Sequence, residues 1–274
     1  MNKPFGAYPP GWRLRAARRL STALGGDPVS RFLRSGLMKL ANSKNCGPQD
    51  VTIFDDQKAR LNPVGNICEK RVLFAPGQWE PLGRKTLSDA IENHTGTHFR
   101  FVDAGANVGL FSLYAHHCAL KTAKTLSALA IEPGVEMQKR LAFNIENSKA
   151  QHAISILPFG LSDHEGTSAL SLNMSNLGES QISKEGSQVI QVRPLYQLIK
   201  NAAWTRIDAL KIDIEGAEHR VLAKFFADAP PNLHPALIIM EIAHDHEGKL
   251  DSLCKNYNYH RSADERGNAV YQLG

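Results

Sequence analysis

Phe101-Val102-Asp103-Ala104-Gly105-Ala106-Asn107-Val108-Gly109-Leu110 is the stretch that decides the fold. It begins as an apolar run, breaks at two glycines and passes into the apolar segment 108–118, which reads as a buried strand, a tight turn and a helix. Working outward, the same alternation recurs. Residues 128–132 read as a second buried strand halted by Pro133-Gly134, after which Met137, Leu141 and Ile145 fall on one helix face. Residues 154–159 read as a third strand, 189–192 as an edge strand, 195–201 as a helix and 207–214 as another strand. A helix over 217–226 then precedes the most apolar strand, 236–242. Short buried strands alternating with helices predict an α/β, doubly wound, mostly parallel sheet covered on both faces. No repeat at a fixed period and no low-complexity tract interrupts it.

The 274 residues, 42% of them hydrophobic, suffice for one good core and a modest extension. We divide them into a basic helical N-terminal arm (1–50), lead-in strands and a helix (51–98), and the main domain (99–274). In the lead-in, Val51-Thr52-Ile53-Phe54 and Val72-Leu73-Phe74 suggest strands or a hairpin among Gly, Pro and Asn punctuation, followed by a helix over 82–92. In the arm, residues 12–40 mix arginines with leucines and phenylalanine and break at Gly25-Gly26-Asp27-Pro28, which gives two short basic helices. Either they pack on their own domain, or they form an arm for a membrane surface or an acidic partner.

The net charge of +5 is uneven: residues 1–44 hold nine Lys/Arg against Asp27 alone, leaving 23 basic and 26 acidic residues in the body. An enzyme of nucleic acid would carry its positive field across the catalytic face, so no nucleic-acid partner is expected. Cys46, Cys68, Cys118 and Cys254 form no C-x-x-C pair, and no apolar segment follows the first basic residues as a secretory signal requires. Reduced thiols in a cytoplasmic protein are the simplest reading. No apolar run reaches the roughly 18 to 20 residues that span a bilayer, so any membrane contact is peripheral, through the arm.

In a doubly wound sheet the ligand sits beyond the carboxyl ends of the strands, where strand order reverses, so strand-terminating residues are the ones to inspect. After the first strand, Gly105 and Gly109 let the backbone pass close to a ligand, amides beginning near Asn107 can meet a carboxylate, and Asp103 can pair with an ammonium. A zwitterionic amino-acid tail needs both charges. Glu132, ending the second strand, is placed to accept both hydroxyl protons of a ribose, which fits NAD or an adenosyl cofactor equally well. The turn discriminates between them: counting from Gly105, Asn107 and Leu110 stand where G-x-G-x-x-G needs its second and third glycines. Neither a G-x-S-x-G elbow nor a phosphate-binding P-loop is present.

FVDAGANVGLFSL (101–113), IEPGVEMQKRLAFNI (131–145), GLSDHEG (160–166), LKIDIEGAEHRVL (210–222) and IIMEI (238–242) follow one another in the order and spacing that resemble the FkbM methyltransferases. The resemblance covers about residues 72–245; its most specific parts are the DAGANVG turn and the KIDIEGAE segment. It implies a Rossmann-like class I methyltransferase fold with a mostly parallel seven-stranded sheet, the cofactor S-adenosyl-L-methionine, and O-methylation of sugars or sugar-bearing metabolites. Asp103, Gly105, Asn107 and Gly109 would line the methionine end, Glu132 the ribose, and Leu161, Ser162 and Asp163 the adenine. The segment after Asp251 would add two antiparallel strands.

Strand alternation puts Lys211, Asp213 and Glu215 on one side of the fourth strand, with Asp213 at its tip facing the reaction. Glu218 is read as favouring the positive N-terminal end of the next helix. A sugar hydroxyl is a poor nucleophile until a base helps, and the candidates are Asp213, Glu241 and His244. Histidine's ordinary pKa of about 6.5 suits the role, though a surface histidine in a charged loop explains His244 as well. A metal held by His244, Asp245, His246, Asp213 and Glu241 was weighed against simple solvation of the loop, and no metal is expected. His116-His117-Cys118 lies within a helix and is discounted as a ligand set. Segments 77–80 and 173–187 are expected to close over a small-molecule or saccharide acceptor, with Trp79 either stacking on a sugar or anchoring the core. A nucleotide-dependent oxidoreductase and a non-catalytic membrane- or partner-binding protein are the competing readings.

Overall fold

A computed structural model describes residues 3–25, 27–41, 46–171, 181–183, 186, 188–245, 247–265 and 267–274. In chain order its elements are α1 (Trp12–Thr22), α2 (Pro28–Leu40), β1 (Gln49–Ile53), β2 (Gln57–Leu61), α3 (Ile67–Phe74) and α4 (Pro81–Asn93). Then come β3 (His98–Ala104), α5 (Leu110–Lys121), β4 (Thr125–Ile131), α6 (Val135–Asn147), β5 (Ile154–Leu157), β6 (Gly160–Leu161), β7 (Gly166–Ser171), β8 (Gln181–Ser183) and β9 (Gln188–Arg193). The chain closes with α7 (Leu195–Asn201), β10 (Ala209–Ile212), α8 (Glu218–Asp228), β11 (Leu237–Glu241), α9 (Lys249–Asn256), β12 (Tyr259–Glu265) and β13 (Asn268–Leu273).

The main sheet has seven strands in the order β12-β13-β11-β10-β3-β4-β5. β10, β11, β3, β4 and β5 are parallel, while β13 runs antiparallel to β11 and β12. From β3 the chain winds outward through β4 and β5, then returns to β10 on the other flank, so order reverses between β3 and β10. That crevice is where a doubly wound sheet binds its ligand. The period of two along each strand divides the core cleanly. Phe99, Phe101, Ala128 and Ile239 face α3 to α6, whereas Val102, Leu129, Leu210 and Ile238 face α7 to α9. By the same alternation Asp103 and Lys211, paired in register, lie on the first of these faces.

Two local readings change. Val72, Leu73 and Phe74 form the end of helix α3, all fully buried; Asn66 caps it by accepting from Glu69 N, and a short apolar run buried all round carries no period that separates helix from strand. β9 is not an edge of the main sheet: it lies inside a second sheet of order β6-β9-β7-β8. Within the segment 173–187, only 181–183 and 186 are described, and the first three form β8. In the segment 77–80, Trp79 is buried against Phe54 and Phe111 as a core anchor, and Arg84 donates to the Trp79 carbonyl at 2.7 Å.

The arm forms two helices, with Asp27 capping α2 through Ser30 N. Leu14 joins the same buried cluster as Val51, Phe101 and Val270, and Ser21 Oγ donates to the Phe74 carbonyl. Among the described residues no helix is long and apolar enough to cross a membrane. All four cysteines are free thiols.

Candidate functional site

A cavity of about 330 Å³ opens beyond the carboxyl ends of β3, β4, β10 and β11. Its first half is built from the turn after β3. Gly105 has φ 78°, and a Cβ there would lie 1.9 Å from the Asp213 carbonyl oxygen, so only glycine lets this turn pass the tip of β10. Gly109, with φ 85°, starts α5, and a Cβ on it would lie 2.3 Å from Leu141 Cδ1. Asn107 takes φ 53° at the position where a dinucleotide fingerprint would place its second glycine. Its amide donates to Glu132 Oε2 at 2.8 Å, and its side-chain oxygen accepts from Asn66 Nδ2 at 3.0 Å.

Asp103 is 1% exposed. Its Oδ2 accepts from Ser112 N at 3.0 Å and Ser112 Oγ at 2.6 Å, while Oδ1 has no partner among the described residues. Burial raises its pKa, opposed by Lys211 and Ser112. Glu132 accepts from Gly134 N at 2.8 Å as well as from Asn107, and burial nevertheless pushes its carboxyl up to about 7. Each oxygen holds one backbone amide and can accept a further donor, which ribose hydroxyls supply. Ile131, Pro133, Met137, Phe159 and Leu161 complete this half with apolar surface. Ser162 and Asp163, expected at the adenine, are not among the residues lining the cavity. The Ser162 hydroxyl is turned to Asp163 Oδ1 at 3.0 Å, and Asp163 lies beside His164 at 2.9 Å on the outer side.

The second half gathers carboxylates. Lys211 Nζ lies 3.0 Å from Asp213 Oδ2 and donates to the Gly105 carbonyl at 3.3 Å. Burial alone would lower the ammonium's pKa, but Asp213 and Asp103 outweigh it and hold the charge in place. Glu241 Oε2 is buried without a partner among the described residues, and burial, then Asp213 and Glu215, push this carboxyl up to about 8. His244, expected as a candidate base, is not among the residues lining the cavity; its Nε2 lies 3.5 Å from Oε2 of Glu215, which does line it. Ligand atoms of Glu215, Glu241 and His244 lie within 4.8 Å of one another, close enough to hold a single cation. Of the other residues weighed as ligands, Asp245 accepts from Lys249 N and Leu250 N at the start of α9, and His246 lies outside the described residues. Glu218 accepts from Ile214 N at 2.8 Å, holding the turn after β10.

The far wall is formed by Cys68, Arg71, Glu80 and Asn268; Glu80 belongs to the segment 77–80 expected at the acceptor, and sequence reasoning missed the other three. Asn268 Nδ2 donates to Glu80 Oε2 at 2.8 Å across 188 residues of sequence. Burial raises the Glu80 carboxyl and pushes the Cys68 thiol up to about 12. No spacing could reveal Cys68, Arg71 and Asn268, since they come from α3 and β13.

A mostly parallel seven-stranded sheet with β13 antiparallel between β11 and β12, and this cavity at its reversal point, defines the Rossmann-like class. Residues 103–261 match the Methyltransferase FkbM domain, and the chain belongs to that family. Methyltransferase sdnD of Sordaria araneosa is 28% identical over 154 residues, 44% of this chain and 58% of its own length, so the chain spans little more than half of that relative. The solved methyltransferase FkbM of Methylobacillus flagellatus KT matches 95% of this chain and 59% of its own at 16% identity, with a TM-score of 0.46. TrmK of M. capricolum, solved with S-adenosyl-homocysteine, matches 69% of this chain and 66% of its own at 11% identity, with a TM-score of 0.42. The methyl donor of such an enzyme is S-adenosylmethionine. The residues present fit it: the unpartnered Asp103 Oδ1 suits an ammonium, Glu132 a ribose diol, and the glycine turn leaves the space a Cβ would fill.

Proposed function

We propose that this methyltransferase transfers the methyl group of S-adenosylmethionine to a hydroxyl of a saccharide or glycosylated metabolite. Bound S-adenosylmethionine supplies a methyl group on a sulfonium, open to in-line displacement by an acceptor oxygen. Asp103, Gly105, Asn107 and Gly109 hold its amino-acid end and Glu132 its ribose. The observation that carries the acceptor chemistry is Glu241, whose Oε2 is buried without a partner among the described residues, beside Asp213 in the second half of the cavity. A hydroxyl-rich ligand offers donors to these oxygens, and burial makes Glu241 basic enough to take a hydroxyl proton near neutral pH. Asp213, fixed by Lys211, orients the hydroxyl, and His244, beside Glu215, receives the proton on its way to solvent. Trp79, whose indole N–H is buried without a partner among the described residues, lines the same half and adds a donor for a ring or hydroxyl oxygen.

Calorimetric titration with S-adenosylhomocysteine tests the cofactor half: the wild type binds, and Asp103→Ala and Glu132→Ala each lose binding. A panel of monosaccharides and glycosides, followed by S-adenosylhomocysteine release, tests the acceptor half. Turnover of amines or carboxylates but of no hydroxyl compound would overturn the acceptor assignment while leaving the cofactor site standing.

A further inference from the structure

We propose that α1 and α2 together dock the enzyme on an anionic lipid surface. Each helix buries one face and leaves an apolar stripe on another. Leu14, Ala17 and Ser21 of α1 are buried against the domain, and α2 is tied to the end of α1 by Arg34, which donates to the carbonyls of Leu24 at 2.9 Å and Gly25 at 2.8 Å. On the outward side, Trp12 and Leu20 lie two turns apart on α1, and Val29, Phe32 and Leu33 follow at helical spacing on α2. Phe32 is 78% exposed, Trp12 69% and Val29 68%. Among the described residues, five of the eleven exposed large apolar side chains lie on these two packed helices, a concentration unlike the single exposed residues ordinary on a monomer surface.

Charge selects the occupant. Around the stripe, Arg13, Arg15 and Arg19 are exposed, and Asp27, the sole acidic residue of the first 44, has both carboxylate oxygens engaged by Ser30. A nucleic acid would answer the arginines and leave Phe32 and Trp12 without a partner, while a second copy would bring two basic arms together. Anionic lipid answers both features: headgroups meet the guanidiniums, and apolar side chains enter the boundary with the acyl chains. The slightly acidic body of the molecule turns away from such a surface, which orients the approach. Docking also serves the site, because α3, on which α1 packs, lines the cavity through Ile67, Cys68 and Arg71.

Vesicle flotation of the full chain tests this, with phosphatidylcholine alone and with added phosphatidylglycerol. The wild type is expected to float with the anionic vesicles only. Phe32→Ser combined with Leu33→Ser, and separately Trp12→Ser, are expected to lower the bound fraction at least about tenfold. Arg15→Gln combined with Arg19→Gln removes the preference for anionic lipid. S-adenosylhomocysteine binding, unchanged in every variant, shows that the domain is folded. A wild type that stays unbound on anionic vesicles would sink the proposal, as would stripe variants that float as well as the wild type. A wild type that is dimeric without lipid and becomes monomeric on Phe32→Ser would equally overturn it, assigning the face to self-association.

Discussion

Gly105 and the Asp213 carbonyl leave no space for a methyl group, so Gly105→Ala must move either the turn after β3 or the tip of β10. The strained backbone and the displaced tip together cost about 2–4 kcal/mol, measurable by urea unfolding, and cofactor affinity falls with them. Glu132 trades stability for binding. Its pKa rises from the ordinary 4.5 to about 7 in the fold, so the stability it contributes is complete below 4.5 and lost as pH rises through about 7. Glu132→Gln is therefore expected to stabilise the free protein by about 1–3 kcal/mol at pH above 7 and to do nothing below 4.5, read from thermal melts across pH. The same variant binds S-adenosylhomocysteine at least tenfold more weakly, roughly the loss of one charge-assisted contact. For Glu241 the sign is opposite in activity: a base must be ionised, so the rate climbs with pH through about 8. Glu241→Gln removes that limb and lowers kcat by about 10² to 10⁴, and dialysis against EDTA leaves the wild-type rate unchanged because the carboxylate itself takes the proton. The places of Asp103, Glu132 and Asp213 were legible in sequence because each terminates a strand. The pairing of Asn268 with Glu80 was not, since only folding brings β13 to the start of α4.

At the scale of elements, α3 is the hinge between the lead-in and the site. Its Glu69 is fully buried, paired with Arg140 of α6, and accepts from Asn62 N at 2.7 Å. Just before it, Asn66 reaches the side chain of Asn107. Removing one member of a buried pair leaves the other charge uncompensated, so Glu69→Ala is expected to cost about 3–5 kcal/mol in denaturant unfolding. Glu69→Gln costs less, because it keeps an acceptor for Arg140. The alternation of strands and helices from β3 onward was readable, since buried parallel strands are short apolar runs and their helices carry a regular face. α3 was misread because Val72-Leu73-Phe74 is apolar on every side, and β9 because its second neighbour, β6, is a strand of two residues.

For the whole molecule, ligand binding and folding are one balance. A site lined by buried, partly orphaned carboxylates is costly without its ligand, and anything that binds only the folded state stabilises it. Saturation at about a hundred times Kd adds about 2.7 kcal/mol, so S-adenosylhomocysteine is expected to raise Tm by several degrees in the wild type and not in Asp103→Ala. The doubly wound class and its reversal point were legible from the order of elements; the shape of the acceptor half was not, because it is assembled from three distant parts of the chain.

The order of strands also bears on how the protein is made. β11 leaves the ribosome before β12 and β13, yet β13 inserts between them, so the outer edge of β11 stays unpaired while the next part of the chain is translated. A nascent chain at that stage has its nucleoside half in place and no Asn268 to meet Glu80. Until β13 arrives, the edge offers a row of unpaired backbone donors and acceptors to any strand that meets it.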